Sequence, residues 1–257
     1  MVPTEVGRPL AATVRWARAA LAATADLAVP RVCAGCSEPG TAWCRECRET
    51  LSGPRRARPR PEPPGLPPVW AAGAYDGRLR RAVLAWKDGG RADLRPAWGE
   101  ALAGCALAAL PTEQRAGGLL VVPAPSAASA VRARGRDHGW ELARAASAGL
   151  RSAGCPAHAV RLLAHARRVR DQAGLTAEER SANLSGAVRA RALPGGWRGA
   201  VVLVDDICTT GSTAAECADA LAQVGLRPAA CVVLAATARR SHAIRTSDGM
   251  RGRDSLD

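Results

Sequence analysis

Phenylalanine is missing from these 257 residues, tyrosine occurs once, at Tyr75, and lysine once, at Lys87. With aromatics at 3% of the chain and seven of them tryptophan, the core must be filled by Leu, Val, Ala and Trp. With a single lysine, the 36 basic residues that outweigh 23 acidic ones, for a net charge of +13, are nearly all arginine. Arginine's planar fork suits phosphate and carboxylate. A basic excess therefore favours polyanionic partners, although an Ala/Arg-rich composition that merely solvates the surface accounts for the same charge. No G-K-[ST] occurs, which excludes a Walker phosphate loop. No apolar run reaches the roughly 18 residues that span a bilayer. The stretch around Leu10, Val14, Ala17, Leu21 and Ala25 reads as an amphipathic helix and a poor signal peptide, interrupted by Arg15, Arg18 and Asp26. These absences give the expectation of a cytoplasmic protein without a membrane span.

Nine cysteines are present, and four of them are clustered. Cys33, Cys36, Cys44 and Cys47 form C-x2-C-x7-C-x2-C, a spacing that lets two tight turns point four thiolates at one tetrahedral zinc. Four ligands close the coordination sphere, so the expected role is structural. The gap is shorter than the roughly 15–20 residues of a common ribbon spacing, which points to a small knuckle. The alternative is a pair of disulfides or redox pairs. The other five, Cys105, Cys155, Cys208, Cys217 and Cys231, lie in apolar segments and read as buried thiols of a reducing compartment.

Seven prolines fall within residues 52–68, SGPRRARPRPEPPGLPP, which cannot form a helix or a central strand and reads as an extended connector. It separates residues 1–51, an N-terminal helix and four-cysteine module, from a domain over 69–240; residues 241–257 read as a disordered tail. Within that domain, strands are expected at 69–75, 118–125, 199–206 and 230–238. Helices are expected at 77–87, 94–110, 137–153 and 213–224, and residues 157–166 are ambiguous. Strands alternating with helices predict an α/β fold, a parallel sheet with helices on both faces.

The most specific stretch is VVLVDDICTTGST, residues 201–213. The carboxyl edge of a parallel strand is where open α/β sheets bind ligands. Asp205 and Asp206 fall there. Side chains alternate along a strand, so the two cannot point the same way unless the backbone turns; one can reach ligand hydroxyls or a metal-bound water while the other braces the loop. Gly211 permits a close backbone approach, and the N-terminus of the following helix suits a phosphate dianion, with hydroxyls from Thr209, Thr210, Ser212 and Thr213 as added donors. Thr213-Ala-Ala-Glu216 is also a capping box, which would stabilise the helix with no ligand at all.

This stretch resembles the phosphoribosyl-pyrophosphate (PRPP) signature of type I phosphoribosyltransferases. Over about residues 25–240 the chain resembles the ComF family, which joins a four-cysteine zinc module to a phosphoribosyltransferase-like domain. The resemblance implies that Asp205 and Asp206 hold the ribose hydroxyls, directly or through water and magnesium, and that Thr209, Thr210, Gly211, Ser212 and Thr213 cradle the 5-phosphate. It places Arg132, Arg134 and Gly135, in VPAPSAASAVRARG, on a pyrophosphate-contacting loop. RRVRDQAGLTAEERSANLSGAV, with Arg167, Arg168, Gln172, Arg180 and Asn183, matches a mobile loop that closes over substrate. Where the family usually has Phe-Asn-Gln after Arg-Gly, this chain has Arg136, Asp137 and His138, and His138 reads either as a proton-transfer group or as a local hydrogen-bonding residue.

The implied activity is magnesium-dependent transfer of phosphoribose to an unidentified acceptor. The implied partners are PRPP, single-stranded DNA and a DNA-uptake helicase, with a homodimer left open. Three readings follow: a transferase, a competence component that binds single-stranded DNA, and a PRPP sensor without turnover. A 3% aromatic content offers few stacking platforms for the second.

Overall fold

The computed structural model describes residues 31–166 and 188–237. The N-terminal helix, the mobile-loop residues Arg167, Arg168, Gln172, Arg180 and Asn183, and the tail lie outside them. Eight strands are described: β1 (Arg55–Ala57), β2 (Val69–Ala74), β3 (Leu119–Pro123), β4 (Ala157–Ala159), β5 (Leu163–His165), β6 (Val188–Ala190), β7 (Ala200–Cys208) and β8 (Pro228–Ala236). The helices are α1 (Arg45–Arg48), α2 (Gly77–Lys87), α3 (Arg95–Ala109), α4 (Thr112–Arg115), α5 (Ala128–Arg134), α6 (His138–Ser152) and α7 (Ser212–Ala222). The six-stranded sheet runs β1-β2-β8-β7-β3-β4, and β5 and β6 form a separate antiparallel pair. All neighbours in the large sheet are parallel except β1, which joins β2 antiparallel at the edge. The ambiguous stretch 157–166 resolves into β4 and β5.

Strand periodicity sorts the side chains into two cores. Val121, Val202, Val204, Val232 and Leu234 face α2, α3 and α6, where Leu79, Trp86, Trp98, Leu102, Leu142 and Leu150 close the layer. Leu120, Val122, Val201, Leu203, Cys231 and Val233 face α7 through Cys217 and Leu221. Helices therefore cover both faces. Trp86 and Trp98 are fully buried and Trp43 nearly so, and these indoles, with leucine and valine, take the place of the missing phenylalanines.

The four-cysteine module shares the first core. Trp43 meets Trp98 edge-to-face with centroids 5.4 Å apart, and Arg81 Nε donates to the Gly35 carbonyl at 2.6 Å. The proline-rich segment does more than connect. Its Arg55–Ala57 pairs with Val69–Ala71 as β1, a placement that proline-rich chain tolerates because an edge strand need satisfy only one side.

Two expectations are corrected. β7 does not stop at Asp206 but runs on to Cys208, because β8 keeps pairing with it at Asp205–Val233, Ile207–Ala235 and Cys208–Ala236. The Thr213 capping box does not form: α7 starts at Ser212, with Gly211 at the N-cap and no side-chain cap.

Candidate functional site

β3 pairs with β7 only as far as Pro123–Val204, so beyond Val204 one edge of β7 is open. The chain leaves β3 toward α5 and α6 on one face and leaves β7 toward α7 on the other. Neighbouring strands whose connections part in this way form a switch-point crevice, the place where open α/β sheets bind ligands.

Because β7 stays extended, its two aspartates are divided between the faces. Asp205 follows Val201 and Leu203 toward α7 and lines a cavity of about 30 Å³ beneath residues 208–214. The residue keeps some surface, but its carboxyl is packed under the loop. Burial, then the neighbouring Asp206 charge, push that carboxyl up to about 7, against the backbone N–H of Asp206 and the charge of Lys87. The Asp206 N–H donates to Asp205 Oδ1 at 2.8 Å. Asp206 points to the other face, where its Oδ2 lies 2.9 Å from Lys87 Nζ at the end of α2.

Thr209, Thr210, Ser212 and Thr213 are exposed around a buried Gly211 at φ 81°. A Cβ at Gly211 would meet Leu66 at 3.0 Å and Pro59 at 3.2 Å, so the proline-rich segment presses on the loop from outside. Thr210 and Ser212 share a hydroxyl–hydroxyl bond of 3.0 Å. The first N–H groups of α7 have no helical acceptor, and with the helix dipole they favour negative charge at the turn. Thr237 N–H donates to the Cys208 carbonyl at 3.0 Å, tying the end of β8 to the same turn.

Arg132 and Arg134 lie on the last turn of α5 and Gly135, at φ 65°, terminates it. Arg134 Nε contacts Asp88 Oδ1 at 3.0 Å. Lys87 and Asp88 are consecutive, so the end of α2 joins Asp206 of β7 to Arg134 of α5. Sequence motifs did not single out Lys87 as a site residue. The available signal was its being the one lysine in an arginine-rich chain. His138 is buried edge-on against Trp86, with centroids 5.6 Å apart. Burial, followed by Arg136 and Arg134, lowers its pKa, and this placement favours a packing role.

The second candidate centre is the cysteine cluster. The sulfurs of Cys33, Cys36, Cys44 and Cys47 all lie within 4.8 Å of one another, and Cys36 and Cys44 are 3.6 Å apart. Sulfurs bound to one tetrahedral zinc at about 2.3 Å stand roughly 3.8 Å apart, so the group could bind a metal such as zinc. The thiols are free rather than paired in disulfides. Cys33 is drawn down to about 6: burial opposes this, and backbone N–H groups of Cys44, Gly35 and Cys36 prevail. Cys47 is pushed the other way by burial and by its three sulfur neighbours, a mutual repulsion that a bound cation would relieve. A Cβ at Gly35 would come within 2.7 Å of Cys47 Sγ, so the first turn needs glycine.

No protein-family model matches the chain, and no curated protein gives a match. Among the described residues no helix is long and apolar enough to cross a membrane.

Proposed function

We propose that the chain is a PRPP-binding, phosphoribosyltransferase-like protein of the ComF type that uses magnesium and transfers phosphoribose to an acceptor, with structural zinc on its four cysteines. The observation that carries this reading is the turn at 205–213. There a carboxylate beside the open edge of β7 adjoins a hydroxyl-rich loop and a helix N-terminus, across a switch point from the arginine-bearing α5. In this assignment Asp206 takes the ribose hydroxyls, Asp205 braces the loop from below, and residues 209–213 hold the 5-phosphate. Arg132, Arg134 and Lys87 stand where a leaving pyrophosphate would need positive charge. Magnesium, when bound, would neutralise pyrophosphate oxygens. The residues themselves position the donor and stabilise charge, which is most of what such a transfer requires.

The test is a pyrophosphate-release assay with PRPP and magnesium over a panel of nitrogenous acceptors, with PRPP binding measured in parallel. Asp206→Asn is expected to weaken PRPP binding roughly tenfold, the scale of one lost charge-assisted hydrogen bond. Unchanged binding overturns the assignment, and binding without release on any acceptor favours a PRPP sensor. The +13 charge favours a second reading, a DNA-uptake component that binds single-stranded DNA. An affinity for single strands that stays flat between low and high salt would rule it out.

A further inference from the structure

The proline-rich segment places Arg55, Arg56 and Arg58 on the wall of a cavity of about 270 Å³, distinct from the crevice between β3 and β7. The floor is formed by the ends of β2 and β8, and the far wall by Cys208 and Thr237, so the cavity backs directly onto the candidate phosphate loop. Its lining contains no acidic side chain. The three arginines are exposed, and among the described residues their side chains form no hydrogen bond or ion pair, whereas Arg78, Arg91, Arg134, Arg136 and Arg161 each hold a carboxylate. Arg55 and Arg56 alternate across the edge strand and Arg58 lies one residue past its end, so three uncompensated positive charges meet at this edge and favour a multiply charged oxyanion over a monoanion. The volume admits a group larger than phosphate and falls short of a typical drug-sized pocket of roughly 300–1,000 Å³.

We propose that this cavity is a second oxyanion site, which takes the phosphate or pyrophosphate group of a small molecule bound alongside the ligand of the 209–213 loop. The site goes beyond the PRPP reading, since it stands on the cavity and needs neither PRPP nor turnover. Pro59 and Leu66 tie the arginine-bearing segment to Gly211, so occupancy of one site is felt at the other through a short, packed contact.

The experiment is calorimetric titration of the full chain with inorganic pyrophosphate, and separately with PRPP and magnesium. Each is run on the wild type, on Arg55→Ser/Arg58→Ser and on Thr210→Val/Ser212→Ala. The arginine changes fall on exposed, unpaired side chains, and circular dichroism checks that the fold is kept. Pyrophosphate is expected to show a binding component that survives the loop substitutions and weakens at least tenfold in the arginine variant, since each lost charge-assisted contact is worth about that factor, while any component at Arg132, Arg134 and Lys87 is unchanged in both variants. PRPP affinity should move less than about threefold in the arginine variant. Pyrophosphate binding that is unaffected by the arginine changes, or that disappears with the loop, overturns the second site. So does a cavity that binds an oligothymidylate and no pyrophosphate. Failure of PRPP to bind any variant, with pyrophosphate behaving as expected, sinks the PRPP reading and leaves this site standing.

Discussion

A carboxyl group enclosed beneath a loop gives up solvation when it ionises, and the Asp205 carboxyl is further opposed by the Asp206 charge, so its pKa rises to about 7. In the unfolded chain it titrates near 3.8, and the folded state therefore holds the proton more tightly. That preference is fully present below 3.8 and is lost as pH rises through about 7. The ligand-free protein should accordingly lose stability across that window, with a slope approaching about 1.4 kcal/mol per pH unit at most. Urea midpoints of the wild type and Asp205→Asn at several pH values check this. The variant should be the flatter of the two, and by a neutral pH the more stable. Residues of this kind were legible in sequence to the level of type and place, because two acids and four hydroxyls at a strand's end are rare as core packing. Their division between the faces followed from strand alternation, but that the strand stays extended past them did not, since it depends on how far β8 continues to pair. Lys87 was hidden for a different reason: its partner Asp206 lies on another element far along the chain.

At the scale of elements, hydrophobic runs made β3, β7, β8 and the helices α2, α3, α6 and α7 readable close to their observed bounds. The weak point was the proline-rich segment, where proline content signalled extension but said nothing of docking. β1 owes its existence to the free edge of β2, and Pro59 and Leu66 owe theirs against Gly211 to the loop's glycine. Gly211 combines a left-handed φ of 81° with three side-chain atoms within 3.2 Å of a Cβ. Gly211→Ala is therefore expected to cost about 1–3 kcal/mol, the scale of a strained backbone position, and to lower Tm by roughly 2–12 °C. Differential scanning calorimetry measures it. Gly225→Ala is the control: its φ of 78° carries the same strain, but nothing lies within 4 Å of its Cβ, so it should cost less.

For the molecule as a whole, the four-cysteine module is no appendage: Cys33, Trp43 and Cys47 share one core with α2, α3 and the sheet. Metal release should thus loosen that shared layer rather than a separate bead. Structural zinc contributes about 10–16 kcal/mol in small metal-folded modules, and losing even about 3 kcal/mol lowers Tm by roughly 6–12 °C for a domain of this size. Treatment with a strong chelator is expected to shift one common melting transition, followed by both tryptophan fluorescence and far-UV dichroism. Two transitions, with the larger unmoved, would show the module to be energetically separate. The same whole-chain view gives the Lys87–Asp206 pair a practical meaning. In a chain whose cations are otherwise guanidinium groups, the candidate crevice holds the only side-chain amine. An amine-selective acylating reagent has a single side chain to modify, and a fluorophore or cross-linker installed there sits at the mouth of the crevice without any engineered cysteine or removal of competing lysines.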